Sequence, residues 1–193
     1  MSVRQLRLGL SVDEEQFAFF EWMRKQFMHP ADGHFPRFVS DLGMEGNVLH
    51  IPLLDLEIGN QEWSIEAIIK DLVRDDDRVV RPIINERLPN LRVNFGQLWF
   101  NSHQIGVDAY GTLPLAGYFA QGIVSMEYPE HCKVAFAHPI MQLGGGCSDF
   151  EAKAKFAAPT IGLSTHAKRV MLLDVTDGYG RPYPILSVYH FTG

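Results

Sequence analysis

Residues 48–55 read Val-Leu-His-Ile-Pro-Leu-Leu-Asp, and residues 134–143 read Val-Ala-Phe-Ala-His-Pro-Ile-Met-Gln-Leu. Each run sets one histidine, His50 or His138, inside an otherwise apolar segment of strand length. Residues two apart on a strand share a face, so this reading groups His50 with Pro52 and Leu54, and His138 with Ile140 and Gln142. A solitary histidine in an apolar strand is ordinarily a hydrogen-bonded core residue. Two of them in matching places, each in mid-strand and each on a strand that follows a predicted helix, ask for a common explanation.

The flanking segments supply the frame. Val3 to Val12 alternates polar and apolar residues, as a half-buried strand does. Asp13, Glu14 and Glu15 then place acid where a helix N-terminus favours it, and Phe17, Phe20, Met23 and Phe27 follow at helical spacing. Pro30, Gly33 and Pro36 end that helix. The order repeats with a strand over 48–57, a turn at Gly59 and Asn60, and a helix capped by Ser64 with Ile65, Ile68, Ile69, Leu72 and Val73 on one face. Asp75, Asp76 and Asp77 mark its solvated end.

The alternating aromatic segment 91–110 predicts a hairpin that turns near Asn101–Gln104. Leu115, Phe119, Gly122, Ile123 and Met126 predict a third helix; 133–143 is the next strand, Gly144, Gly145 and Gly146 the loop after it, and a hairpin around Gly178–Gly180 closes the chain. The order β-α-β-α-β-β, then α-β and two further strands, predicts an α+β fold of two similar halves, approximately 1–90 and 91–193.

Composition narrows the function. A chain of 193 residues, 46% hydrophobic and 21% charged, has the balance of a soluble domain with a sizeable core. The longest uncharged stretches are broken by Gly, Pro, Asn or His well before the ~18 apolar residues that a bilayer span needs, and Gln5, Arg7 and Gly9 interrupt the apolar run that a signal peptide would need. A cytoplasmic location is the expectation. Cys132 and Cys147 make neither a disulfide framework nor a C-x-x-C metal site, and the other histidines lack the i, i+4 spacing of helix-borne ligands. A net charge of −6 argues against a broad surface for long duplex nucleic acid.

Two imidazoles facing one cleft suit phosphodiester chemistry. One removes a proton from the attacking oxygen while the other protonates the leaving oxygen, and an ordinary histidine pKa of about 6.5 keeps both forms present near neutrality. In this the sequence resembles the 2H phosphoesterase superfamily, the LigT-like and cyclic-phosphodiesterase-like proteins named for two H-x-T/S motifs. His50-Ile51-Pro52-Leu53-Leu54 looks like the first motif, commonly H-h-T-L-L, and His138-Pro139-Ile140-Met141-Gln142-Leu143 looks like the second. Residues 170–186, V-M-L-L-D-V-T-D-G-Y-G-R-P-Y-P-I-L, resemble the strand, Gly-Arg turn and Tyr-containing strand that close LigT-like proteins.

The resemblance covers nearly the whole chain. It implies a single bilobal α+β domain over 1–193, its two pseudo-symmetric lobes exchanging strands, with antiparallel sheets lining a central cleft and helices outside. It also implies a metal-independent phosphodiesterase with His50 and His138 as general base and acid and no cofactor. The ligand would be a cyclic nucleotide, a 2′,3′-cyclic phosphate or a short 2′-5′ or 3′-5′ oligonucleotide, in RNA processing or in degrading a defence signal.

The family's phosphate-holding hydroxyl lies two residues after each histidine, where this chain has Pro52 and Ile140, and neither side chain donates a hydrogen bond. Losing such a donor costs roughly 3 kcal/mol of transition-state stabilisation unless another group replaces it. The candidates are Gln142, Thr165, Lys168, Arg169, Arg181 and Tyr183. The absent hydroxyls also admit an inactive module that binds nucleotides or RNA ends, and histidines buried in separate cores would mean an α+β interaction protein. Phe95, Trp99, Phe100 and Tyr110 offer ring faces for a base or for the core.

Overall fold

A computed structural model describes residues 3–12, 14–27, 38–39, 47–59, 92–100, 104–124, 132–145, 162–166, 169–177 and 183–190. In chain order these form β1 (Arg4–Ser11), α1 (Glu14–Phe27), β2 (Phe38–Val39), β3 (Asn47–Val48), β4 (His50–Ile58), β5 (Arg92–Phe100) and β6 (Gln104–Tyr110). There follow α2 (Leu113–Val124), β7 (Cys132–Phe136), β8 (Ile140–Gly145), β9 (Ser164–His166), β10 (Arg169–Asp174) and β11 (Ile185–His190). The predicted helix over 64–73, the Asp75–Asp77 run and the turns at 101–103 and 178–180 lie outside the described residues.

Two antiparallel sheets organise the chain. The five-stranded sheet has the order β11-β10-β1-β4-β7 and the four-stranded sheet the order β8-β6-β5-β9; β2 and β3 form a separate short parallel pair. The larger sheet therefore joins β1 and β4 to β7, β10 and β11 from the second half of the sequence, whereas the smaller one is built wholly from that second half. Alternation sends Leu6, Leu8 and Leu10 of β1, Leu54, Leu56 and Ile58 of β4, and Val170 and Leu172 of β10 to one face. That face shares a single core with Val93, Phe95, Val107, Ala109 and Met141 of the smaller sheet.

Each helix seals part of this core. On α1, Phe20 is fully buried and meets Phe95 edge to face with ring centroids 4.7 Å apart, while Gln16 donates to the Ser164 carbonyl, so α1 lies on the smaller sheet. Helix α2 packs on β4 and β7 through Leu115, Ala116 and Phe119. Its start is well specified: the Thr112 carbonyl accepts from Ala116, and Pro114 falls in the first turn, where a missing N–H leaves no bond unmade. Gly111 before it has φ +95°, which a side chain would strain. Burying each leucine or phenylalanine contributes about 1.5–3 kcal/mol, so this core carries the fold. Among the described residues no helix is long and apolar enough to cross a membrane.

Three expectations need correcting. The strand expected over 133–143 is two strands in two sheets, β7 and β8, separated at 137–139. The cause is Pro139: the Ile140 amide donates to the His138 carbonyl at 2.7 Å, a three-residue turn centred on a residue whose ring fixes φ near −65°. Gly144 and Gly145 are the end of β8 rather than a loop, paired with Ile105 and Gln104. His50 is the first residue of β4 rather than its middle, and it does not share a face with Leu54.

That last difference comes from a β-bulge. Leu8 pairs with Leu54 but Gly9 pairs with Pro52, which leaves Leu53 as an extra residue on β4. One extra residue inverts the alternation, so His50 and Pro52 join the face of Arg7, Gly9 and Ser11, opposite Leu54. Pro52 fits beside a bulge because it has no N–H to give to a regular ladder.

Candidate active site

On the face of the larger sheet turned away from the Leu54 side, His50 lies opposite Ser11 on β1 and leans over Gly9. A Cβ on Gly9 would come within 2.7 Å of His50 Cδ2, so the bare backbone at position 9 is what lets the ring lie there. On its other side His50 meets the Tyr183 ring edge to face, with centroids 6.1 Å apart. The imidazole is buried, with 9% of the residue exposed.

Charged groups lie near these rings and Ser11. The Arg7 guanidinium forks onto Asp55, Nε to Oδ1 at 2.7 Å and Nη2 to Oδ2 at 3.1 Å. Burial pushes the Tyr183 phenol above its ordinary pKa; Arg7 opposes that rise and Asp55 adds to it, which places both charges near the phenol. Arg169, whose neighbour Val170 pairs with Leu10, donates from Nε to Ser11 Oγ at 3.4 Å. Imidazole, hydroxyl and guanidinium thus lie in a row across β4, β1 and β10.

His138 arrives by a different route. The Ala137 amide donates to the Leu53 carbonyl in the larger sheet, and the Pro139 carbonyl accepts from Ala109 in the smaller one. His138 is therefore the residue at which the chain passes from one sheet to the other, and its side chain is exposed. The Ala137–Leu53 bond brings its backbone to the Pro52 end of β4, near the strand end that begins with His50.

The remaining candidates divide. Tyr183 and Arg169 stand with His50. Thr165 does not: it pairs with Val93 on the core face of the smaller sheet, is 1% exposed and donates to the His166 carbonyl at 3.4 Å. Gln142 pairs with Gly106 on β8, while Lys168 and Arg181 lie outside the described residues. Of the aromatics, Phe95 is core and Tyr110 is 55% exposed, its hydroxyl donating to Asp108 at 3.3 Å. Among the described residues no three His, Cys, Asp or Glu side chains gather as a metal site.

No protein-family model and no curated protein matches the chain. Solved structures do. TT0787 of Thermus thermophilus matches with a TM-score of 0.58 at 15% identity over 98% of both chains. LigT of E. coli complexed with 3′-AMP matches with a TM-score of 0.56 at 15% identity over 100% of both chains, and LigT complexed with phosphate with 0.56 at 17%. The chain has a LigT-like fold.

Within this LigT-like fold the two motif histidines occupy unlike settings, one seated in a sheet and one at a crossing between sheets. Residues that the sequence reading passed over complete the first setting: Gly9, Arg7, Ser11 and Asp55. Gly9 did leave a trace, since glycine inside an alternating strand marks a close approach. Ser11 left none, because its proximity to His50 depends on strand pairing alone.

Proposed function

We propose that this chain is a metal-independent phosphodiesterase of the 2H type that acts on a small nucleotide substrate, a 2′,3′-cyclic phosphate or a short oligonucleotide. The observation that carries this reading is the Ala137–Leu53 hydrogen bond, which brings His138 to the end of the strand that His50 begins, within a LigT-like fold. In ring opening, one imidazole takes the proton of the attacking water as its oxygen bonds to phosphorus. The other gives a proton to the ribose oxygen as the P–O bond breaks. His50 and His138 fill these two roles, with Tyr183 and Arg169 on the phosphate. LigT complexed with 3′-AMP, phosphate and NADP+ supports a ligand with a nucleotide's chemistry.

Pro52 and Ile140 favour a second reading, a module of the same fold that binds nucleotide ends without turnover. Incubation with 2′,3′-cyclic AMP separates the two. The enzyme reading expects a nucleoside monophosphate that disappears in both His50→Ala and His138→Ala with unchanged circular dichroism. Binding without product would leave only the module, and product that survives either substitution would remove the acid–base assignment.

A further inference from the structure

Pro52 takes from β4 the hydroxyl that its motif would place beside His50, yet a hydroxyl stands next to His50 on the neighbouring strand. Ser11 and His50 are direct partners across the β1–β4 ladder, and the bulge at Leu53 turns His50 onto the face that Ser11 already takes on β1. Without that extra residue His50 would turn to the core with Leu54, away from Ser11. Ser11 is 3% exposed, so its hydroxyl is held within the structure and does not wave in solvent.

The direction of its hydrogen bond matters. Arg169 Nε donates to Ser11 Oγ, which occupies an oxygen lone pair and leaves the Ser11 hydrogen to be given elsewhere. An arginine nitrogen cannot accept that hydrogen. Arg169 also keeps its two Nη groups, which together carry four N–H donors in a planar fork suited to phosphate oxygens. Gly9, two residues along β1 on the same face, adds no side chain there.

We infer that Ser11 and Arg169 together hold the phosphoryl oxygens beside His50, replacing from β1 and β10 the donor that Pro52 removes from β4. This rests on the phosphodiesterase reading for its substrate but makes a separate claim about which groups bind the anion. Arg169 supplies charge and fixes the Ser11 rotor, and Ser11 supplies a directed O–H.

The test uses the full chain and two probes, inorganic phosphate for binding and 2′,3′-cyclic AMP for turnover, with Ser11→Ala, Ser11→Thr, Arg169→Gln and Arg169→Lys. Hydrogen bonds to a charged group are worth enough that Ser11→Ala is expected to weaken phosphate binding about tenfold to a hundredfold, with Ser11→Thr close to the parent. Arg169→Gln should lose at least as much and Arg169→Lys recover part of it. Unaltered melting temperatures confine the effect to the site. Normal phosphate binding in Ser11→Ala and Arg169→Gln, with turnover intact, would overturn the inference while leaving the phosphodiesterase standing. Weakened phosphate binding in both variants of a chain that hydrolyses nothing would sustain the inference and remove the enzyme. No phosphate binding by the parent would overturn the inference, and the phosphodiesterase would then stand or fall on turnover alone.

Discussion

His50 and His138 are held by opposite means. His50 sits within a five-stranded sheet, over a glycine, against the Tyr183 ring and opposite Ser11, so its position is fixed by packing on several sides. His138 is exposed and held by its backbone, between one hydrogen bond to the larger sheet and one to the smaller. The first histidine is preorganised by side-chain contacts, the second by the path of the chain. Substitutions near His50 should therefore disturb geometry through sterics, and substitutions near His138 through backbone freedom.

Removing either imidazole gives the largest expected effect. His50→Ala and His138→Ala should each lower turnover of 2′,3′-cyclic AMP roughly 10²–10⁴-fold, the usual worth of a positioned acid or base. Stability separates them: in a urea melt His50→Ala, which opens a space in a packed face, is expected to be the less stable. Equal melts would break the contrast between a packed and an exposed histidine.

Gly9→Ala tests the seat of His50 alone. The new methyl would lie 2.7 Å from His50 Cδ2, so ring or strand must move. A displacement of ~1 Å at a reacting group is enough to cost about a hundredfold in rate, and overpacking of this kind destabilises by ~1–3 kcal/mol. A Gly9→Ala protein with parental kinetics would show that the ring does not need this place.

The counterpart at the crossing is Pro139→Ala. It removes the φ restraint from the turn that separates β7 from β8, and the expected cost in stability is only ~0.4–1 kcal/mol, from a freer unfolded chain. Turnover should fall by more than that stability change implies, because His138 is held by backbone alone. An unchanged rate would mean that the hydrogen bonds of Ala137 and Pro139 suffice.

Two smaller effects lie away from both histidines. Burial acts to raise the pKa of Asp174, but hydrogen bonds from Thr176 and Arg4, with the Arg4 charge, outweigh it and hold the carboxyl below its ordinary value of 3.8. The folded chain thus binds this proton less readily than the unfolded one, so the carboxylate stabilises the fold above the ordinary value, and that contribution is lost as pH falls through the lowered one. Asp174→Asn should destabilise at pH 7 and flatten the acid limb of stability; an acid limb identical to the parent's would exclude this carboxylate as its source. The Lys133–Glu57 pair is exposed, with the lysine side chain 83% accessible, and Lys133→Ala should change stability by less than about 0.5 kcal/mol.

Much of this protein could be read from local pattern. The apolar alternation of β1, the helical spacing of Phe17 and Phe20 after three acids, the hairpin of β5 and β6, and the closing strands all follow from periods of two and 3.6, which neighbouring residues set between themselves. His50 and His138 stood out as histidines in matching apolar strand segments, and the absence of their partner hydroxyls came from the resemblance to the two H-x-T/S motifs. Pro52 and Pro139 were visible too, but what they did was not. One accompanies a bulge that turns His50 away from the face of Leu54, and the other divides a strand between two sheets.

The sequence by itself determined the strands β1, β5 and β6, the helices α1 and α2, the closing strands β10 and β11, and which two histidines are candidates for the chemistry. Only the tertiary structure decided which face His50 takes, that Thr165 belongs to the core, and that Ser11 and Arg169 meet beside the imidazole. The reason is physical: a side chain's face on a strand depends on the pairing register, and register is fixed by strands dozens of residues away, through contacts that no local period records.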